Sequence, residues 1–187
     1  VYDLLSNVEL RNEVATYVNH IFKGLKDAVD QDYSLPLHNM ILANGELLST
    51  YMFTRFLRQE GKNAQLLPAL DFMRIDRNNE PDLFYIKQNL NRLIESSDKA
   101  DVYITQGFIC LDADGAITNL QRGGSDYTAT IIGAAIEANE VQIWTDIDGF
   151  HNNDPRYVNE TSALSNLSYD EARDIFLYVY LFIDLKT

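Results

Sequence analysis

With 187 residues, 46% of them apolar, and 9 Phe and 11 Tyr to fill an interior, the chain is long enough to bury one sizeable core. Its 15 Lys and Arg face 28 Asp and Glu, and the resulting charge of −13, with no basic cluster along the chain, argues against nucleic acid or an anionic membrane surface as a partner. The single Cys110 allows no internal disulfide, the longest apolar run (175–183) is far short of the ~20 residues that cross a bilayer, and no opening segment reads as a leader, so the expected setting is the reducing cytoplasm.

In chain order, Ser6 and Glu9 predict a capping box ahead of Leu10, Val14, Val18, Ile21, Leu25 and Val29, whose spacing puts one apolar stripe on a long helix. A second helix is expected over 45–60, apolar around most of its girth, stopped by Gly61 and buried between layers. Residues 64–70 read as a strand, and the run Asn79, Glu80, Pro81, Asp82 opens a third helix. A short strand at 102–104 precedes a hairpin of 108–111 with 116–120, turning at Asp112 to Gly115; Cys110 reads as strand packing within it. A helix over 125–138 and a strand over 141–145 follow, with Gly133, Ala134 and Ala135 letting that helix lie close to a sheet. This alternation predicts a single layered α/β domain with a largely parallel sheet, and in such sheets ligands sit at the carboxyl ends of strands. The loops after Leu120 and Thr145 fall there.

Between Gln121 and Arg156 the sequence QRGGSDYTATIIGAAIEANEVQIWTDIDGFHNNDPR gathers the groups an anion and a nucleotide need. Arg122 offers a planar fork for a carboxylate or phosphate, Gly123 and Gly124 let backbone approach a ligand, and Ser125 is placed to cap the helix that follows. Asp126 has two readings, a carboxylate that orients a lysine or metal, or an acid complementing the helix dipole. Glu46, beside Asn44 and Gly45 at the start of the second helix, is an acid on a mostly apolar surface; a substrate ammonium or a neighbouring side chain would each satisfy it. Thr145, Asp146 and Asp148 end a strand, which suits ribose or metal contact but is also common turn chemistry. Arg156, after Asp154 and Pro155, reaches either a phosphate or a surface acid. His20, His38 and His151 have no ligand spacing, so zinc is not expected, and the spacing of Asp112 to Gly115 and of Asp146 to Gly149 does not match a calcium loop.

Four segments, ITQGFI (104–109), RGGSDYTA (122–129), IWTDIDG (143–149) and DPR (154–156), resemble the aspartokinases of the amino acid kinase superfamily, and NGELLS (44–49) is similar to that family's Phe-Gly-Glu or His-Gly-Glu segment. The resemblance runs from about residue 41 to 171 and implies a three-layer αβα sandwich with a mostly parallel sheet. The implied reaction moves the γ-phosphoryl of ATP, with Mg2+, to the β-carboxylate of L-aspartate, the first step toward lysine, threonine and methionine. By position it assigns Glu46 to the substrate's ammonium, Arg122 to its α-carboxylate and Ser125 to the same pocket. Asp126 would organise catalytic lysines, while Thr145, Asp146, His151 and Arg156 would hold the nucleotide. The family's opening Lys-Phe-Gly-Gly-Thr-Ser strand and a later Phe-Gly-Ala-Lys segment have no counterpart within residues 1–187, so the expectation is a partial kinase domain without its N-terminal strand or an ACT regulatory domain, impaired by itself, from a homo-oligomeric parent. Two other readings are a nucleotide-binding regulatory module without kinase activity and a hydrolase using Ser125 or a metal at Asp146 and Asp148.

Overall fold

The computed structural model describes residues 3–121, 123–144, 149–153 and 158–173. They belong to two compact units that part after Val141, and each is taken by itself.

The first unit opens with helix α1 (Val8–Val29) and helix α2 (Leu35–Gln59), running antiparallel to each other. The cap of α1 is Asn7, whose side chain accepts from the Leu10 N–H at 3.1 Å, rather than the box expected from Ser6 and Glu9. Ser6 is occupied elsewhere: its hydroxyl and the Asn7 N–H both donate to Gln59 Oε1 at the far end of α2, at 3.2 and 2.9 Å. Further along the seam Tyr17 stacks on Tyr51 with centroids 3.9 Å apart, and Arg55 both covers the Tyr51 ring and pairs with Glu13 at 2.5 Å. That bonded guanidinium holds the Glu13 carboxyl below the usual carboxylate range against the opposing effect of burial.

Helix α2 begins at Leu35, well before the expected 45, because Ser34 caps it and Pro36 suits its first turn. The Asn44-Gly45 pair that reads as a boundary lies inside the helix instead, where the buried Asn44 amide donates back to the Met40 carbonyl at 2.8 Å. The helix is also less enclosed than its composition predicts, with Leu42 and Phe53 nearly half exposed.

Strand β1 (Ala64–Leu66) pairs in parallel with β2 (Val102–Ile104), Ala64 opposite Val102. It is shorter than expected, since Pro68 ends the ladder and leads into a single 3-10 turn, Ala69–Asp71. Helix α3 (Leu83–Ser96) starts where its cap signal lies: Asp82 accepts from the Tyr85 N–H at 3.0 Å and pairs with Arg74, which in turn covers the Tyr85 ring. Strands β3 (Ile109–Leu111) and β4 (Ile117–Asn119) form the expected hairpin, closed by the Asp112 carboxylate accepting from the Asp114 and Ala116 N–H groups. Helix α4 (Gly124–Ala135) follows.

Helix α4 stops short of 138 in a Schellman arrangement, with Glu137 left-handed (φ 54°) and the Ala138 and Glu137 N–H groups donating to Gly133 and Ala134 carbonyls. Gly133 faces the Val141 side chain so closely that a methyl group there would overlap it. The expected strand over 141–145 is not formed by Val141 to Trp144, which belong to no strand or helix; β-branched and aromatic content favours a strand only where a partner edge is present. Layering follows from packing: α2 lies on β1 and β4 with α1 against it, and α3 packs with α4. The core between them is built from Phe72, Met73, Ile86, Leu90, Ile109, Cys110 and Ile131, so that an α/β domain results. Burial pushes the Cys110 thiol up to about 12, in keeping with strand packing rather than reactivity. Among the described residues no helix is long and apolar enough to cross a membrane.

In the second unit, Phe150 and Asn152 exchange backbone bonds with Leu164 and Ser162, around an antiparallel bridge between His151 and Ala163. Residues 169–173 are helical, opened by a capping box in which Ser168 and Glu171 bond reciprocally, the Glu171 carboxylate accepting from the Ser168 N–H and hydroxyl at 2.8 and 2.6 Å.

Candidate functional site

The loop that leaves β2 at its carboxyl end, Thr105 to Phe108, is where α2 and α4 meet the sheet. Gln106, only 1% exposed, bonds toward α2: its Nε2 donates to Thr50 Oγ1 at 2.7 Å while its Oε1 accepts the Ala69 N–H at 2.7 Å. On the other side, the Phe108 N–H donates to Thr128 Oγ1 of α4 at 3.1 Å, and that hydroxyl donates to the Gly124 carbonyl at 2.8 Å. Phe108 is held at φ 70°, a conformation a bulky residue adopts only when its surroundings impose it. Between the two, Gly107 presses on α4: a methyl group at its Cα would come 3.0 Å from the Ser125 Cβ and 3.1 Å from its Cα.

The turn before α4 is equally tight. Gly123 caps the helix in the left-handed region (φ 75°), where a side chain would be strained, and contributes no side-chain bond. Ser125 is therefore not the cap expected from sequence; it stands one residue inside the helix, exposed, next to the exposed Asp126. A methyl at Gly124 would meet Leu120 and Phe108 at 3.0 Å, so the first turn cannot shift toward the hairpin. The N–H groups of Ser125 and Asp126 lie in the first turn, which has no preceding helical carbonyls to bond, and the helix dipole adds to their attraction for an anion.

Glu46 lies in the middle of α2 rather than at a helix start, half buried, on the stretch that Gln106 engages. Its carbonyl accepts the Thr50 hydroxyl at 2.6 Å, while its carboxylate has no hydrogen-bond or ion-pair partner among the described residues. Helix α2 is further tied to β4 through Asn39, which bonds Thr118 and Asn119. Glu46 on one side and Ser125 with Asp126 on the other thus belong to helices fastened to one four-residue loop. His151 belongs to the second unit, where its Nδ1 lies 3.2 Å from Thr161 Oγ1. Arg122, Thr145, Asp146 and Arg156 lie outside the described residues, as does Asp148. Sequence reading passed over Gln106, Thr50 and Thr128; a polar residue directly before a glycine at a strand end was the available signal, but its partners are remote in sequence.

A family model described as the amino acid kinase family matches residues 6–180, and the chain belongs to that family. Its relatives and structural neighbours are aspartokinases. Lysine-sensitive aspartokinase 3 of Escherichia coli is 34% identical over 174 residues, covering 89% of this chain and 37% of the relative. The chloroplastic bifunctional aspartokinase/homoserine dehydrogenase 2 of Arabidopsis thaliana is 30% identical, covering 86% of this chain and 19% of its own length. Escherichia coli aspartokinase III, solved in complex with aspartate and ADP, superposes with a TM-score of 0.68 at 34% identity, over 84% of this chain and 36% of the other. The chain therefore spans well under half the length of these proteins.

Proposed function

We propose that the protein containing this chain transfers the γ-phosphoryl group of ATP to the β-carboxylate of L-aspartate. The observation that carries this reading is the shared loop: a half-buried carboxylate on α2 without a partner among the described residues, and first-turn N–H groups with a hydroxyl on α4, fastened to the same strand end. Such a pairing suits the two poles of an amino acid, its ammonium at Glu46 and its α-carboxylate at Arg122 and Ser125. Similarity to an aspartokinase solved with aspartate and ADP supports the choice of substrate pair.

Phosphoryl transfer asks little covalent chemistry of a protein; positioning and charge neutralisation supply most of the rate. An attacking carboxylate and a triphosphate repel, and in a chain of net charge −13 the α4 N–H groups, with the guanidiniums of Arg122 and Arg156 that the resemblance assigns to substrate and nucleotide, would supply the counterweight. Asp126 would orient the catalytic lysines, and Thr145, Asp146, His151 and Arg156 would hold the nucleotide. Mg2+ is carried mainly by phosphate oxygens with one or two carboxylates, and the exposed Asp126 would offer one such carboxylate; the ion would neutralise charge on the triphosphate. Neither family lysine has a counterpart in these residues, so transfer by this stretch alone is expected to be much slower than by a longer chain that carries them. Action in the cytoplasm and assembly into a homo-oligomer belong to the same reading.

The test is ATP-dependent formation of aspartyl hydroxamate by the full-length protein. Turnover that requires both aspartate and ATP is the expected result. A protein that binds ATP and never phosphorylates aspartate would instead be a regulatory nucleotide-binding module.

A further inference from the structure

We infer that Thr50 and Gln106 are positioning residues that fix Glu46 for the amino acid substrate; this rests on the reading that Glu46 meets the substrate's ammonium. The orientation of the Gln106 amide is determined by its surroundings. The Ala69 N–H can only donate, so the group 2.7 Å away is Oε1, and the other end, Nε2, is the donor to Thr50. The Thr50 hydroxyl has one proton, and since its oxygen already accepts from Gln106, that proton goes to the Glu46 carbonyl at 2.6 Å rather than to Leu47 at 3.5 Å. Every member of the chain from the Ala69 N–H to the Glu46 carbonyl has one direction available to it.

Two consequences follow from that direction. A hydroxyl bonded back to the carbonyl four residues earlier locally bends a helix, so Thr50 sets the course of α2 at the residue that bears the carboxylate. Gln106 then ties this point to the loop whose next residue, Gly107, abuts Ser125. The network therefore sets the separation between Glu46 and the opening of α4, with Gln106 buried and Thr50 half-buried, an environment in which such bonds strengthen one another. A network that served packing alone would affect both substrates through stability; one that places Glu46 affects the amino acid selectively.

The experiment uses the full-length protein and three variants. Thr50→Val keeps the shape and removes the hydroxyl; we expect the KM for aspartate to rise about tenfold, with the KM for ATP changed by less than about twofold, and a lowered thermal stability because the buried Gln106 N–H loses its acceptor. Thr50→Ser, which restores the hydroxyl, should return the aspartate KM to near its original value. Gln106→Glu keeps the acceptor for the Ala69 N–H but replaces the donor, so the Thr50 proton turns away from Glu46; aspartate KM should rise, and the rise should shrink at lower pH as the new carboxyl gains a proton to donate. This variant carries the test should Thr50→Val fail to fold. An aspartate KM unmoved in Thr50→Val and Gln106→Glu, or both KM values moving together, overturns the inference while leaving the functional reading intact. Absence of aspartate-dependent turnover in the unsubstituted protein overturns both.

Discussion

Single residues around the loop after β2 are constrained by contact rather than by conformational preference. At Gly107 the backbone angle is ordinary, but the helix opposite leaves no room: the neighbour is the backbone of Ser125, and Gly124 is itself wedged against Leu120 and Phe108. Since neither side can give way, Gly107→Ala is expected to destabilise the fold by about 1–3 kcal/mol through overpacking, read as a lowered urea midpoint with unchanged slope. An unchanged midpoint would mean that α4 yields freely. In the sequence, Gly107 was visible only as part of ITQGFI; the crowding that makes it necessary comes from a helix that begins well downstream. Ser125 shows the converse. Its residue type suggests a cap, yet Gly123 takes that position because the turn entering α4 requires a left-handed residue.

At the level of elements, caps and turns were legible where the signal was local. Asp82 opens α3 and Asp112 closes the hairpin, each through bonds within a few residues, whereas the equally local cap of α2 at Ser34, followed by Pro36, was passed over for a start at 45. The start of α1 is different, because Ser6 and Asn7 are both good caps and only the position of Gln59 on α2 decides between them. Asn7→Ala is accordingly expected to cost about 1 kcal/mol and Ser6→Ala measurably less, compared by urea unfolding of the two variants. Equal losses would restore the capping box read from sequence. The strand expected at 141–145 illustrates the same limit: alternating apolar residues state what a segment can do, and the presence of an edge beside it decides what it does.

For the molecule as a whole, the elements are locked together by ion pairs that titrate. The bonded Arg55 holds Glu13 below the ordinary carboxylate range, and Arg74, with the Tyr85 N–H, does so for Asp82. Because both folded values lie below the unfolded ones, these contributions are complete above ~pH 4.5 and are lost as pH falls through the lowered folded values. Unfolding midpoints measured from neutral pH downward should therefore drop across the acidic range, and Glu13→Gln should flatten part of that drop while lowering the midpoint at neutral pH. An unaltered pH profile in that variant would show that the α1–α2 seam does not depend on the pair. Both residues are substantially solvated, which keeps each effect modest.

Composition and apolar periodicity by themselves determined a layered α/β domain, and the resemblance of RGGSDYTA and its companion segments to known kinases pointed to the amino acid kinase family, because both rest on local properties of the chain. Tertiary structure decided that Glu46 stands mid-helix, that Gln106 joins Thr50 to Ala69, and that Gly107 meets Ser125. Those relations depend on which remote surfaces are brought within hydrogen-bond or van der Waals reach, and distances of about 3 Å between residues far apart in the chain are fixed only when the whole core closes.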